Sequence, residues 1–197
     1  MFKRSRLLMV SALSGLAVFL TGCGADDGVF RVDASTLSRE HAEGNLGYDL
    51  TKSVPVGGKH NPKWAACKMW FTPVATEYLI HSMEHGAVWI AYETTISDAD
   101  VMRFNDIAEI NPYVVVTPHV KLPAPIVISA WGLQITAATS IEPKIADFID
   151  KYANGPQTPE PGAPCKEGGI TSSAEAAVVT GGKSPNSVDT KEEADQA

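Results

Sequence analysis

Three short apolar runs limit this chain to folds built around a small β-sheet. Residues 87–92 (AVWIAY), 113–117 (YVVVT) and 126–131 (IVISAW) are rich in β-branched and aromatic residues and too short for buried helices. Residues 133–137 extend the sheet past Gly132, while Pro118, Pro123 and Pro125 keep the link between the second and third runs out of the ladder. Helical signals alternate with these runs. Residues 73–85 read as a helix that Gly86 terminates. Ser97-Asp98-Ala99-Asp100 resembles a capping box and opens a helix to about Ile110, with Val101, Phe104, Ile107 and Ala108 on one face. Ile141, Ile145, Phe148, Ile149 and Tyr152 repeat at helical spacing, with Pro143 in the first turn. The order predicts an α+β domain: a small, mostly antiparallel sheet with helices packed on one face.

The N-terminus sets the compartment. Lys3, Arg4 and Arg6 precede an apolar run at 7–20, and Leu20-Thr21-Gly22-Cys23 resembles a lipobox. The run is shorter than the roughly 20 residues of a comfortable membrane span. Residues 1–22 are therefore expected to be a signal peptide, and Cys23 the lipidated residue that anchors the chain to a membrane. Residues 23–53 read as tether and entry segment, 54–170 as a single domain, and 171–197 as a disordered acidic tail lacking aromatic residues. The expected location is the outer face of the cell membrane, or the periplasmic face of a bacterial membrane. The formal net charge is −7, and losing the signal peptide makes the chain more acidic still, which leaves no electrostatic footprint for nucleic acid.

With Cys23 committed to lipid, Cys67 and Cys165 remain of the three cysteines. Two thiols in an oxidising compartment favour a disulfide; an all-cysteine zinc site is excluded because two thiols are too few.

The densest chemistry is His81-Ser82-Met83-Glu84-His85. On a helix, His81 and His85 are i, i+4 neighbours able to grip one ion, and Met83 turns into the core. On a strand, His81, Met83 and His85 would share a face and suit copper; the helix ahead of Gly86 is the preferred reading. The string also fits H-x-x-E-H, in which Glu84 would activate a zinc-bound water. His60 lies in the turn-rich loop 56–62 (VGGKHNP), the kind of segment that positions a functional group on a rigid scaffold. His60, His81 and His85 are read as one shared site, and His119 as an ordinary hydrogen-bonded histidine. Trp64, Trp70, Trp89 and Trp131 are read as core or rim.

Gly57-Gly58-Lys59-His60, Cys67, the residues 81–88 (HSMEHGAV), 125–132 (PIVISAWG), Glu160-Pro161 and Cys165 together resemble the bacterial family catalogued as domain of unknown function 3105. The resemblance covers about residues 54–166. It implies an extracytoplasmic protein anchored by a transmembrane helix or lipid, with no agreed activity. The pattern carries over to His60, Cys67, His81, Glu84, His85 and Cys165. Position 83 is more often Leu in the family, which favours a core role for Met83.

The leading expectation is a lipid-anchored protein that binds copper or zinc through His60, His81 and His85, with Glu84 as a further ligand or orienting group. The alternatives are a metal-free module for a small ligand or membrane-protein partner, and a zinc hydrolase of inverted-zincin type. Replacing Cys23 by Ser is expected to abolish incorporation of labelled fatty acid and release the chain from membranes. Unchanged labelling would remove the anchor.

Overall fold

The computed structural model describes residues 28–177. Cys23, the signal segment and residues 178–197 lie outside the described residues. The elements are β1 (Phe30–Arg31), α1 (Thr76–Glu84), β2 (Val88–Glu93), α2 (Asp98–Ile110), β3 (Val114–His119), β4 (Ile126–Ala130), β5 (Leu133–Ala137), α3 (Pro143–Tyr152) and α4 (Ser173–Ala176). They form one five-stranded sheet in the order β1-β5-β4-β2-β3. Every pairing is antiparallel except β2 with β3, which α2 connects as a parallel crossover. The α+β class follows.

The central and parallel-paired strands β2, β3 and β4 are buried on both faces. Alternate residues of β2 supply the two halves of the core: Val88, Ile90 and Tyr92 on one face, Trp89 and Ala91 on the other. Phe104 and Ala108 of α2 and Ile145, Phe148, Ile149 and Tyr152 of α3 cover the first face. The other carries Tyr78, Leu79, Ile80 and Met83 of α1. α2 and α3 thus share a face as expected, while α1 lies opposite them, because its apolar stripe needs the side bearing Trp89 and Trp131. Ile141, counted into the stripe of α3, precedes the helix and is exposed.

Helix ends follow their residue chemistry. Ser97 Oγ accepts from Asp100 N at 3.2 Å and donates to Asp100 Oδ2 at 2.6 Å, which caps α2. α1 ends at Gly86 (φ +103°), with Gly86 N on Met83 O and Ala87 N on Ser82 O, a Schellman arrangement. A β-carbon at Gly86 would stand 2.9 Å from Asn154 Cα, so glycine is required for both conformation and space.

Three segments depart from the sequence reading. β3 runs on through Pro118 and His119, which pair with Tyr92 and Glu93. Proline is tolerated because β3 is the edge strand. Residues 28–53 lie along the body: β1 pairs with β5, and Leu37, Tyr48 and Leu50 pack on the core. At the other end, Ala176 is fully buried and its carbonyl accepts from Ala75 N. Both segments escape pattern reading because their apolar residues carry no period.

Cys67 and Cys165 form a disulfide with a Cα–Cα distance of 5.2 Å and a sequence separation of 98. In the chain-entropy view such a loop stabilises the fold by about 4–5 kcal/mol. It ties the segment before α4 to the loop that precedes α1.

His119 is structural. Trp89 Nε1 donates to Thr117 Oγ1 at 2.7 Å, and the Thr117 hydroxyl shares a hydrogen bond of 2.9 Å with His119 Nε2. Burial pushes its imidazole down to about 4. The unfolded chain therefore takes up this proton first. The stability involved is complete above about pH 6.5 and is lost as pH falls toward 4, roughly 3 kcal/mol in all. His119→Gln is expected to flatten the loss of stability between pH 6.5 and 4, measured by urea denaturation across that range; a profile parallel to wild type would contradict this.

Candidate metal centre

α1 presents His81, Glu84 and His85 to one side and buries Met83 on the other, as helical spacing requires. The loop before it delivers His60. Gly57 (φ +143°) and Gly58 (φ +126°) hold backbone conformations that side chains rarely adopt, and a β-carbon at Gly57 would meet Leu37 at 3.0 Å and the Trp131 ring at 3.2 Å. This turn lets the Gly58 carbonyl fold back onto the His60 ring.

Three imidazoles are oriented the same way. His60 Nδ1 donates to Gly58 O at 2.7 Å, His81 Nδ1 to Asn61 O at 2.6 Å and His85 Nδ1 to Pro164 O at 2.7 Å. A carbonyl only accepts, so each Nδ1 carries a hydrogen, and in the neutral ring each Nε2 is a bare lone pair. Those lone pairs face one another or an anion. His81 Nε2 stands 3.0 Å from His85 Nε2, and His60 Nε2 stands 2.8 Å from Glu84 Oε2. Acceptors this close repel unless a cation, either a proton or a metal, lies between them.

His41 completes the group. Its ring stacks on His81 at 4.9 Å and meets His60 edge-on at 4.8 Å, and its Nε2 is 3.5 Å from Glu84 Oε2. One ligand atom each from His41, His60, His81 and Glu84 lies within 4.8 Å of all the others. Two nitrogens on one tetrahedral zinc are about 3.3 Å apart, so small side-chain shifts would suffice. Of the residues expected from sequence, His60, His81 and Glu84 come together here; His85 stands beside them against His81. His41 was missed: it lies in a segment without period, and only the backbone bonds Ala42 N to His60 O and His60 N to Glu40 O bring it in.

Glu84 is buried, with its side chain 1% exposed. Arg39 Nε donates to its Oε1 at 2.5 Å, and Arg39 Nη2 reaches Glu160 Oε1 at 2.9 Å. Burial alone would raise the Glu84 carboxyl, but the hydrogen bonds from His60 and Arg39 outweigh it and hold it at about 2. Burial, reinforced by the neighbouring His85 and His60, pushes the His81 imidazole down to about 4 despite the Asn61 carbonyl. At neutral pH the centre thus holds an ionised carboxylate and, at His81, a neutral imidazole.

A family model described as protein of unknown function (DUF3105) matches residues 41–167. The chain belongs to this family. The DUF3105 match contains His41, His60, His81, Glu84, His85 and both disulfide cysteines, and Arg39 lies just before it. No curated protein and no solved structure matches the chain.

Glu84→Gln removes the charge that Arg39 and His60 share. Denaturant unfolding at pH 7 is expected to show a loss of about 2 kcal/mol, since hydrogen bonds to a charged group are worth about 1.5–3 kcal/mol each and half-exposed Arg39 can return to water. The carboxylate's contribution is present above about pH 4.5 and fades as pH falls toward 2, so wild type and variant are expected to converge in acid. Equal stability at pH 7 would show that the carboxylate is not held as described.

Proposed function

We propose that this protein binds one copper or zinc ion through the Nε2 atoms of His41, His60 and His81, with Glu84 as fourth donor or as the group that orients them. It does so at the outer surface of a membrane, held there by lipid on Cys23. The observation that carries the reading is the commitment of Nδ1 of His60, His81 and His85 to backbone carbonyls, which aims their remaining nitrogens inward. Outer partners of this kind fix the tautomer and ring orientation of metal-ligating histidines. Imidazole with one carboxylate suits zinc and copper, and the donor set lacks the thiolate and free methionine of softer sites.

The hydrolase reading fares worse. A general base must be free to take a proton from water. Arg39 on Oε1 and His60 beside Oε2 hold the Glu84 carboxyl at about 2, too weak a base to take a proton from water readily. The protein is better described as one that binds an ion than as one that activates water with it.

The test is elemental analysis of the untagged full-length chain after dialysis against zinc or copper, beside His60→Ala/His81→Ala. One ion per wild-type chain, absent from a folded double variant, is the expected result. Equal metal content in both, or none in wild type, would end the proposal.

A further inference from the structure

Strand directions divide the domain into two ends. β2 starts at Val88, just after α1, and finishes at Glu93 beside His119 of β3; Tyr92 pairs with Ile126, and Ile126 with Ala137. The histidine centre lies at the Val88 end, because His85 closes α1 there and the His60 ring meets Trp131, just past the last residue of β4. β1 runs antiparallel to β5, with Phe30 on Gln134 and Arg31 on Leu133. Followed backward from Phe30, the chain therefore heads for the other end, where Ala137 lies. That end carries Val120 after β3, Ile141 after β5 and Met102 in the second turn of α2, which are 78%, 69% and 68% exposed. Ser140 N donates to Asp100 Oδ1 at 2.7 Å, which holds the start of α2 against the Ile141 loop. Met102 and Val120 are each followed by an exposed cation, Arg103 and Lys121. Two carboxylates of this end are turned onto the chain's own backbone: Glu142 Oε1 accepts from Ala138 N and Thr139 N, and Glu93 Oε1 from Leu122 N. Exposed Asp98 offsets part of the positive charge.

We infer that this end of the sheet, through Met102, Val120 and Ile141, rests on the lipid bilayer that holds the protein and turns the histidine centre away from it. The inference rests on the lipid anchor at Cys23 proposed above. Five residue steps separate Cys23 from Gly28, the first described residue, which bounds the gap at about 18 Å whatever path the chain takes. The bilayer surface is thus held close to the start of β1, and the chain leaves β1 toward the end that carries the three apolar side chains. Exposed apolar groups gathered at one place mark an interaction surface. Apolar side chains enter the boundary between headgroups and acyl chains, and adjoining cations meet anionic headgroups. β2 is six residues long, about 20 Å, so the histidine centre stands about one strand length farther from the membrane. The centre then faces the compartment from which an ion or an accepting partner would arrive.

The test uses the full-length lipidated chain in vesicles of phosphatidylethanolamine and phosphatidylglycerol, with a nitroxide on one introduced cysteine. Val120→Cys, Ile141→Cys and Ile110→Cys are compared. All three positions are exposed, and Cys67 and Cys165 are buried in their disulfide, so only the new thiol takes the label. Ile110 ends α2 and marks the opposite end of the sheet. Collisions with oxygen, which concentrates in the bilayer, and with a water-soluble nickel chelate report the depth of each label. Labels at 120 and 141 are expected to favour oxygen and to lose most of their chelate collisions in vesicles, while the label at 110 keeps them. Adding Val120→Asp to the Ile141→Cys chain is expected to return the label to water while the chain stays bound to vesicles. Equal chelate access at all three positions would overturn the inference, as would burial of the label at 110 or a label at 141 that ignores Val120→Asp. Absence of fatty acid from wild-type Cys23 would instead defeat the anchor itself.

Discussion

A buried carboxylate facing a buried imidazole, Glu84 against His60, organises this protein. Removing an ionised carboxylate from water is costly unless charge and hydrogen bonds replace the solvent. Glu84 finds its replacements in three residues on two segments distant from it in sequence: Arg39 and His41 on the entry segment, and His60 on the glycine loop. The docking of residues 38–42 along the His60 strand-like bridge follows from that need as much as from the few apolar side chains of the segment. The same convergence brings the Nε2 atoms of His41 and His60 to the Glu84 carboxylate and so places several nitrogen and oxygen donors in one small volume.

Rigidity around the centre comes from backbone devices. The Schellman end at Gly86 lets the chain leave α1 directly into β2 without pulling His85 off its face. The glycine pair at 57–58 bends the loop so that its own carbonyl fixes the His60 ring. The disulfide fixes Pro164 and thereby the tautomer of His85. Each device sits one bond behind a histidine, the position from which metal ligands are oriented.

Much of this was legible in the sequence, and the illegible part has a common cause. Helical spacing alone placed His81 with His85 and turned Met83 inward, since period 3.6 leaves no choice once Gly86 ends the helix. The glycine loop flagged His60, and counting thiols after Cys23 flagged Cys67 with Cys165. Strand runs and the capping box of α2 stood nearly where composition put them. Arg39 and His41 were invisible, because a residue recruited by a buried charge leaves no periodic trace, and Arg39 lies 45 residues from its partner. The opposite placement of α1 was hidden similarly: amphipathicity says that a helix covers a sheet and does not say which face. Pro118 within β3 was missed because edge position is a property of topology, which local pattern does not contain.

The account stands on the protonation pattern of the histidine rings, and nitrogen-15 NMR of the imidazoles reads it directly. The prediction is that His60, His81 and His85 carry their hydrogens on Nδ1 at neutral pH with zinc bound. The Nε2 resonances of His60 and His81 should move on addition of one equivalent of zinc and stay put with further metal. Hydrogens on Nε2 of these rings, or Nε2 resonances indifferent to zinc, would contradict it.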